Sequence, residues 1–155
     1  MCRAELRTSL EDPEGEAGSL LLKRYFDELG LRFPQGFEGG LDIPPIDFKP
    51  PRGAFLVAYL RDRAVGCGAL RDLSDGAAEI KRMWVDPSVR GRGVARRLLS
   101  ELENVARQHG CLLVRLDTSA HLKEALALYR SSGYQEIDAY NDNSYAAHWF
   151  EKRLH

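Results

Sequence analysis

Apolar and polar positions along this chain switch between two periods, and the switches mark its elements. Residues 16–29 place Leu20, Leu21, Tyr25 and Leu29 near one face, which predicts a helix. Residues 54–60 and 64–70 are short apolar runs around the polar turn Arg61-Asp62-Arg63, and they read as a β-hairpin. A third strand is predicted at 77–85, entered through a turn at 72–76 and ended by Asp86-Pro87-Ser88. Next, Val94, Leu98, Leu102, Val105 and Ala106 form the stripe of a long helix that stops at His109-Gly110. Residues 112–116 are apolar except for Arg115, as in a mostly buried strand. A helix at 122–130 ends near Gly133, and strands at 134–139 and 145–154 flank the polar turn Asn141-Asp142-Asn143. Residues 36–51 are too rich in Gly and Pro for a helix or a central strand. An irregular segment of that length is either an ordered surface loop or a functional one.

The element order is strand, helix, irregular loop, three strands, helix, strand, helix, two strands. It predicts an α/β (α+β) fold around a mixed sheet that is antiparallel in its first part. The strand–helix–strand unit at 79–116 should supply a parallel pair with a right-handed crossover. A chain of 155 residues is the size of one domain with one core, so 1–155 is read as a single unit.

Composition narrows the function classes. Hydrophobic residues make up 44% and charged residues 29%, as in an ordinary soluble globular protein. With 22 basic and 23 acidic side chains the net charge is -1, which argues against a nucleic-acid or membrane-surface partner. It leaves room for a local basic patch that holds a small polyanion. Glu11, Asp12, Glu14 and Glu16 interrupt the N-terminal region, so no secretory signal is expected, and no later segment could span a bilayer; the expected location is cytoplasmic. An odd set of cysteines, Cys2, Cys67 and Cys111, argues against a disulfide framework, and Cys67 and Cys111 read as buried thiols. The histidines are scattered, and no metal site is expected.

The most informative segment is Val85-Asp86-Pro87-Ser88-Val89-Arg90-Gly91-Arg92-Gly93-Val94-Ala95. Two glycines stand at the mouth of a long helix, where backbone N–H groups lack internal partners and the helix dipole is positive. Gly91 and Gly93 remove side chains that would hold a phosphate off those amides, and Arg90 and Arg92 add charge. This is a diphosphate cradle on first principles. A Walker A loop would need Gly-Lys-Ser/Thr, which is absent. A dinucleotide fingerprint would need a small residue where Arg96 stands, although Asp117 superficially fits its ribose acid. The six residues 85–90 are also too long for the tight turn of that fingerprint. Acyl-coenzyme A is the third reading.

Here the sequence resembles the GNAT N-acetyltransferase superfamily. Arg90-Gly91-Arg92-Gly93-Val94-Ala95 matches the family pattern Arg/Gln-x-x-Gly-x-Gly/Ala. Glu79-Ile80-Lys81-Arg82-Met83-Trp84-Val85-Asp86-Pro87 looks like its cofactor strand. Ala127-Leu128-Tyr129-Arg130-Ser131-Ser132-Gly133-Tyr134 resembles Leu-Tyr-x-x-x-Gly-Phe, with Tyr in the last place. The resemblance covers about residues 54–154. It implies a GNAT fold: a mixed, mostly antiparallel sheet of six to seven strands, flanking helices and a splayed central parallel pair. It also implies acetyl-CoA as cofactor and a primary amine as acceptor.

By the same resemblance, the backbone of Met83, Trp84 and Val85 would pair with the pantetheine arm, and residues 90–95 would hold the pyrophosphate. A bulge near Arg82, Met83 and Trp84 would open the slot. Arg96 or Arg97 either reaches a phosphate or decorates a solvated helix face. Tyr129 would protonate the departing thiolate; its alternative is a packing tyrosine. Glu79 would be the general base, because a lysine-like amine is neutral only about one part in 10³ at pH 7. Its alternative is a surface carboxylate paired with Lys81 or Arg82. In a regular strand, Glu79, Lys81 and Met83 would share one face. A backbone N–H of the bulged strand, Val85 or a neighbour, would meet the oxyanion.

The acceptor pocket should lie between the early loop, the cofactor strand and the last hairpin. Its candidate liners are Phe37, Glu38, Asp42, Arg82, Tyr140, Asn141 and Asn143. Glu38 and Asp42 could attract an amine and Arg82 could hold a carboxylate, which suggests a small, polar, amino-acid-like acceptor. A non-catalytic acyl-CoA sensor is the alternative function. Oligomeric state is open, a homodimer included.

Overall fold

The cofactor strand expected from the sequence is the middle of the architecture. In the computed structural model, which describes residues 5–37 and 43–155, seven strands form one sheet in the order β1-β2-β3-β4-β5-β7-β6. These strands are β1 (Leu6–Leu10), β2 (Gly53–Leu60), β3 (Arg63–Asp72), β4 (Ala77–Val85), β5 (Leu113–Thr118), β6 (Gln135–Ile137) and β7 (His148–Arg153). The helices are α1 (Glu16–Arg32), α2 (Val94–Gln108) and α3 (Lys123–Ser131). All pairings are antiparallel except β4 with β5. The mixed sheet and its parallel pair are therefore as expected. The last two strands are shorter than the apolar pattern implied, because residues 138–147 form a connecting loop.

Alternation along the strands explains the two cores. Phe55 and Val57 of β2 face one side with Cys67, Ala69 and Trp84, and Leu21 of α1 covers them. Leu56, Ala58, Leu70, Ile80 and Val114 face the other side, where Leu98, Leu99, Leu102 and Ala106 of α2 pack. The predicted α2 stripe faces the core, with Val105 half-buried at its edge and Leu99 added to it. Glu103 is buried beside this stripe, accepting a hydrogen bond from the Tyr134 hydroxyl (2.8 Å) and pairing with Lys152 (3.0 Å). A buried carboxylate is tolerated only with such partners. Cys67 and Cys111 are buried free thiols, while Cys2 lies outside the described residues. Among the described residues no helix is long and apolar enough to cross a membrane.

Two irregularities of β4 shape the site. First, β4 and β5 pair only at Ala77↔Leu113, Ala78↔Val114 and Glu79↔Arg115, and beyond Glu79 the strands part. Second, β4 bulges. Cys67 faces Trp84 and Ala69 faces Lys81, so Arg82 and Met83 together stand opposite Gly68. Arg82 takes a left-handed φ of 58°, the kind of kink that re-aims a strand. The bulge corrects one expectation. Glu79 and Lys81 keep a common face, but Met83 is turned to the α2 side, and Trp84 joins the α1 side. Gly68 makes the room for it. A Cβ there would lie 2.6 Å from Met83 Sδ and 2.7 Å from Leu102 Cδ1.

Candidate active site

Where β4 and β5 part, two cavities meet. The larger, about 620 Å³, is a groove between α1, the end of β4, the start of α2 and α3. Met83, Trp84, Val85, Arg90, Gly91, Gly93, Val94 and Ala95 all line it; Arg92 does not, and is solvent-exposed. The smaller, about 340 Å³, lies between α1, β4, the end of β5 and the loop before β7. Tyr25, Leu29, Met83, Leu122, Ala125 and Tyr129 line both. Tyr129 thus stands at the junction.

The groove suits a phosphorylated ligand. Gly91 and Gly93 have φ of 79° and 84°, and nothing lies within 4 Å of where their Cβ atoms would be. Gly93 is the N-cap of α2, and no side chain caps the helix there. The first amides of α2 are left for a ligand, with the dipole behind them. From Ile80 onward β4 has no strand partner on the β5 side, so an extended chain could pair with that edge. These features fit coenzyme A, with its diphosphate and pantetheine arm.

The arginines divide differently from expectation. Arg90 donates from Nε to the Val85 carbonyl (2.9 Å) and pairs with Glu28 (2.6 Å), so its side chain braces the loop. Glu28 also accepts from Trp84 Nε1 (3.1 Å), which ties α1 to the cofactor strand. Arg32 pairs with Glu124 of α3 and spans the groove. Arg96 lines the groove but is bonded to Ser131 and Ser132. Arg97 donates to the Leu6 carbonyl and lies away from the groove.

Tyr129 is 5% exposed and packs against Tyr134 and Phe150 at ring distances of 5.9 and 6.0 Å. Burial pushes its phenol up from the ordinary 10.0, so the hydroxyl keeps its proton at working pH. It is both a packing residue and a liner of the junction.

Glu79 lies behind the wall of the site. It is fully buried and lines neither cavity. Its Oε1 accepts from Arg71 Nε (2.8 Å), and its Oε2 accepts from the Tyr140 hydroxyl (2.7 Å) and Asn141 Nδ2 (3.4 Å). It is also no surface carboxylate: its close ion pair is with Arg71, and Lys81 is 3.8 Å away. The β4–β5 pairing buries it at the closed end of the wedge, before the slot begins.

Sequence reasoning missed the pair that bridges the open end. Lys81 Nζ meets Asp117 at 3.1 and 3.3 Å, and both line the smaller cavity. Asn141 and Asn143 donate to Asp117 at 2.7 and 3.2 Å, and Trp149 Nε1 donates to Asn141 Oδ1 at 2.9 Å. Of the expected acceptor residues, Phe37, Arg82 and Asn143 line this cavity, whereas Tyr140 and Asn141 stand behind its wall. Glu38 and Asp42 lie outside the described residues. An aromatic wall of Phe26, Phe33, Phe37 and Tyr145 was also unforeseen as a unit.

A groove of bare helix amides that leads past a buried phenol into a second cavity is the layout of an acyl-transferring enzyme. The chain belongs to the acetyltransferase (GNAT) family, which it matches over residues 19–134. It is 35% identical over 127 residues to the IAA acetyltransferase of Azospirillum brasilense, covering 81% of this chain and 82% of that one. A solved protein of Klebsiella pneumoniae, assigned to the acyl-CoA N-acyltransferases, is 28% identical with a TM-score of 0.80, covering 99% of this chain and 100% of that one. A Bacillus anthracis structure solved with acetyl coenzyme A shares the fold at a TM-score of 0.64 and 20% identity, over 76% of this chain and 72% of that one. This protein is accordingly a GNAT-type N-acetyltransferase, and acetyl-CoA is the acetyl donor of that family.

Proposed function

We propose that the protein acetylates a primary amine of a small molecule bound in the 340 Å³ cavity, and that Tyr129 serves as the proton donor. The observation that carries this reading is the place of Tyr129 on both cavities at once. A volume near the lower end of ordinary ligand pockets, roughly 300–1,000 Å³, suits a small acceptor better than a folded one.

The residues that would hold acetyl-CoA are Met83, Trp84 and Val85 along the free edge of β4, and Gly91, Gly93, Val94 and Ala95 around the helix mouth. Arg90 and Glu28 brace that mouth, and Arg92 contributes only charge from outside. The bound coenzyme supplies an acetyl thioester. An N–H of the bulged strand, at Val85 or a neighbour, is aimed at the charge that develops on the carbonyl oxygen. The Tyr129 hydroxyl would give its proton to the departing sulfur, the acylated amine would shed its own to water, and water would return a proton to the Tyr129 phenolate. Glu79 acts by position: it holds Asn141, and with it Asp117, at the open end of the wedge.

The test is thiol release from acetyl-CoA across a panel of amines, amino acids, polyamines, aminoglycosides and a basic peptide. Turnover with a small amine is expected. Tight coenzyme binding without turnover on the whole panel would favour an acyl-CoA sensor and refute the catalytic reading.

A further inference from the structure

The acceptor cavity has a charge pattern and a wall that together describe its ligand. Three charged side chains line it: Arg82 from a buried position and Lys81 and Asp117 from half-buried ones. Asp142 lines it from an exposed position at the mouth. The two oxygens of Asp117 already accept from Lys81, Asn141 and Asn143 in four contacts, which fills the acceptor capacity of a carboxylate. The ammonium of Lys81 has three donors and spends two on Asp117, so it can give another to a ligand. Arg82 lies over the rings of Phe48 and Phe26 at 4.7 and 5.5 Å and lines the same cavity from the bulge. Beside Arg82, Phe37 packs between Tyr145 (4.4 Å) and Phe26 (6.0 Å), with Phe33 at 5.5 Å.

We infer that the acceptor is an apolar amino acid: a primary amine that also carries a carboxylate, bound by Lys81 with Arg82 beside it, and an aromatic or branched apolar body laid on the Phe26–Phe33–Phe37–Tyr145 wall. This deepens the proposed function and rests on its assignment of the cavity to the acceptor. The same cations help the chemistry. Positive charge near an ammonium favours its neutral form, which is the form that attacks, and the carboxylate beside Lys81, Asp117, has its acceptor positions already taken. The sequence alone suggests a polar acceptor; the aromatic wall changes the side chain expected of it.

The experiment compares phenylalanine, leucine, phenylethylamine, phenylalaninamide and spermidine as acceptors with acetyl-CoA, read as thiol release. A charge-assisted hydrogen bond of about 1.5–3 kcal/mol predicts a kcat/KM for phenylalanine or leucine on the order of 10- to 100-fold above phenylethylamine and phenylalaninamide. In Lys81→Met this ratio falls at least tenfold through a raised KM, and in Lys81→Arg it is largely kept. The melting shift produced by coenzyme A reports that each variant is folded. Equal or faster turnover of phenylethylamine or spermidine would overturn the inference, as would an unchanged ratio in Lys81→Met. Either of those results leaves amine acetylation standing. A coenzyme-induced melting shift with no thiol release on any acceptor would overturn both.

Discussion

Replacing Tyr129 by Phe removes one oxygen from the junction of the two cavities and leaves everything else in place. The ring contacts with Tyr134 and Phe150 survive, and among the described residues no hydrogen bond holds the hydroxyl. The stability change should therefore stay within about 0.5 kcal/mol, as for substitutions that touch no network. The rate is another matter. A positioned general acid contributes roughly 10²–10⁴-fold, equivalent to about 3–5.5 kcal/mol of barrier. The departing group is an alkyl thiolate, a far weaker base than an alkoxide, so it leaves tolerably well unaided. The expected loss is at the lower end, on the order of 10² in kcat. Because burial raises the phenol, Tyr129 stays protonated through neutral pH and should add no limb to the pH–rate profile there. The assay is thiol release at saturating acceptor, beside thermal melts with and without coenzyme A. A kcat within threefold of the parent protein, with melting and coenzyme binding intact, would refute the acid role and leave Tyr129 a packing residue.

Other outcomes test other parts of the account. Gly93→Val puts a β-branched residue at φ 84° and a side chain over the open amides; coenzyme affinity measured by calorimetry should fall at least tenfold, with a stability loss of about 1–2 kcal/mol. Glu79→Gln should lower the rate by a similar factor at every pH, since Glu79 positions rather than accepts a proton, and a shifted pH–rate midpoint would restore it as the base. Asp86 is pushed up by burial, but the Ser88 N–H, the Ser88 hydroxyl and Arg24 outweigh this and hold its carboxyl at about 2, below the ordinary 3.8. A depressed pKa stabilises the fold above pH 4 and the gain disappears as pH falls through 2, so Asp86→Asn should cost roughly 2 kcal/mol at neutral pH and progressively less in acid, by urea denaturation.

How much of this was legible in the sequence depends on whether a feature is local. The glycines at 91 and 93 announce the helix mouth because a phosphate needs bare backbone, and the α2 stripe announces its buried face because period follows from helix geometry. The parallel pair follows from strand–helix–strand order. What period cannot show is a break in the period itself. The bulge at Arg82 and Met83 sends Met83 to the α2 face, and Gly68, on another strand, is what admits it. Lys81 and Asp117 are 36 residues apart and meet because the parallel register Glu79↔Arg115, carried two residues on, sets them opposite each other. Arg90 looked like a phosphate ligand, and Glu28 on α1, 62 residues away, claims it instead. A strand argument does place Glu79 on the cofactor strand, yet its burial behind the wedge depends on where β5 stops pairing.

If the bare amides at the start of α2 and the free edge of β4 together bind coenzyme A, calorimetric titration of the protein with coenzyme A gives saturable heat at one coenzyme per chain, and a separate titration with NAD gives none. Absence of heat with coenzyme A, or equal binding of NAD, would contradict that assignment.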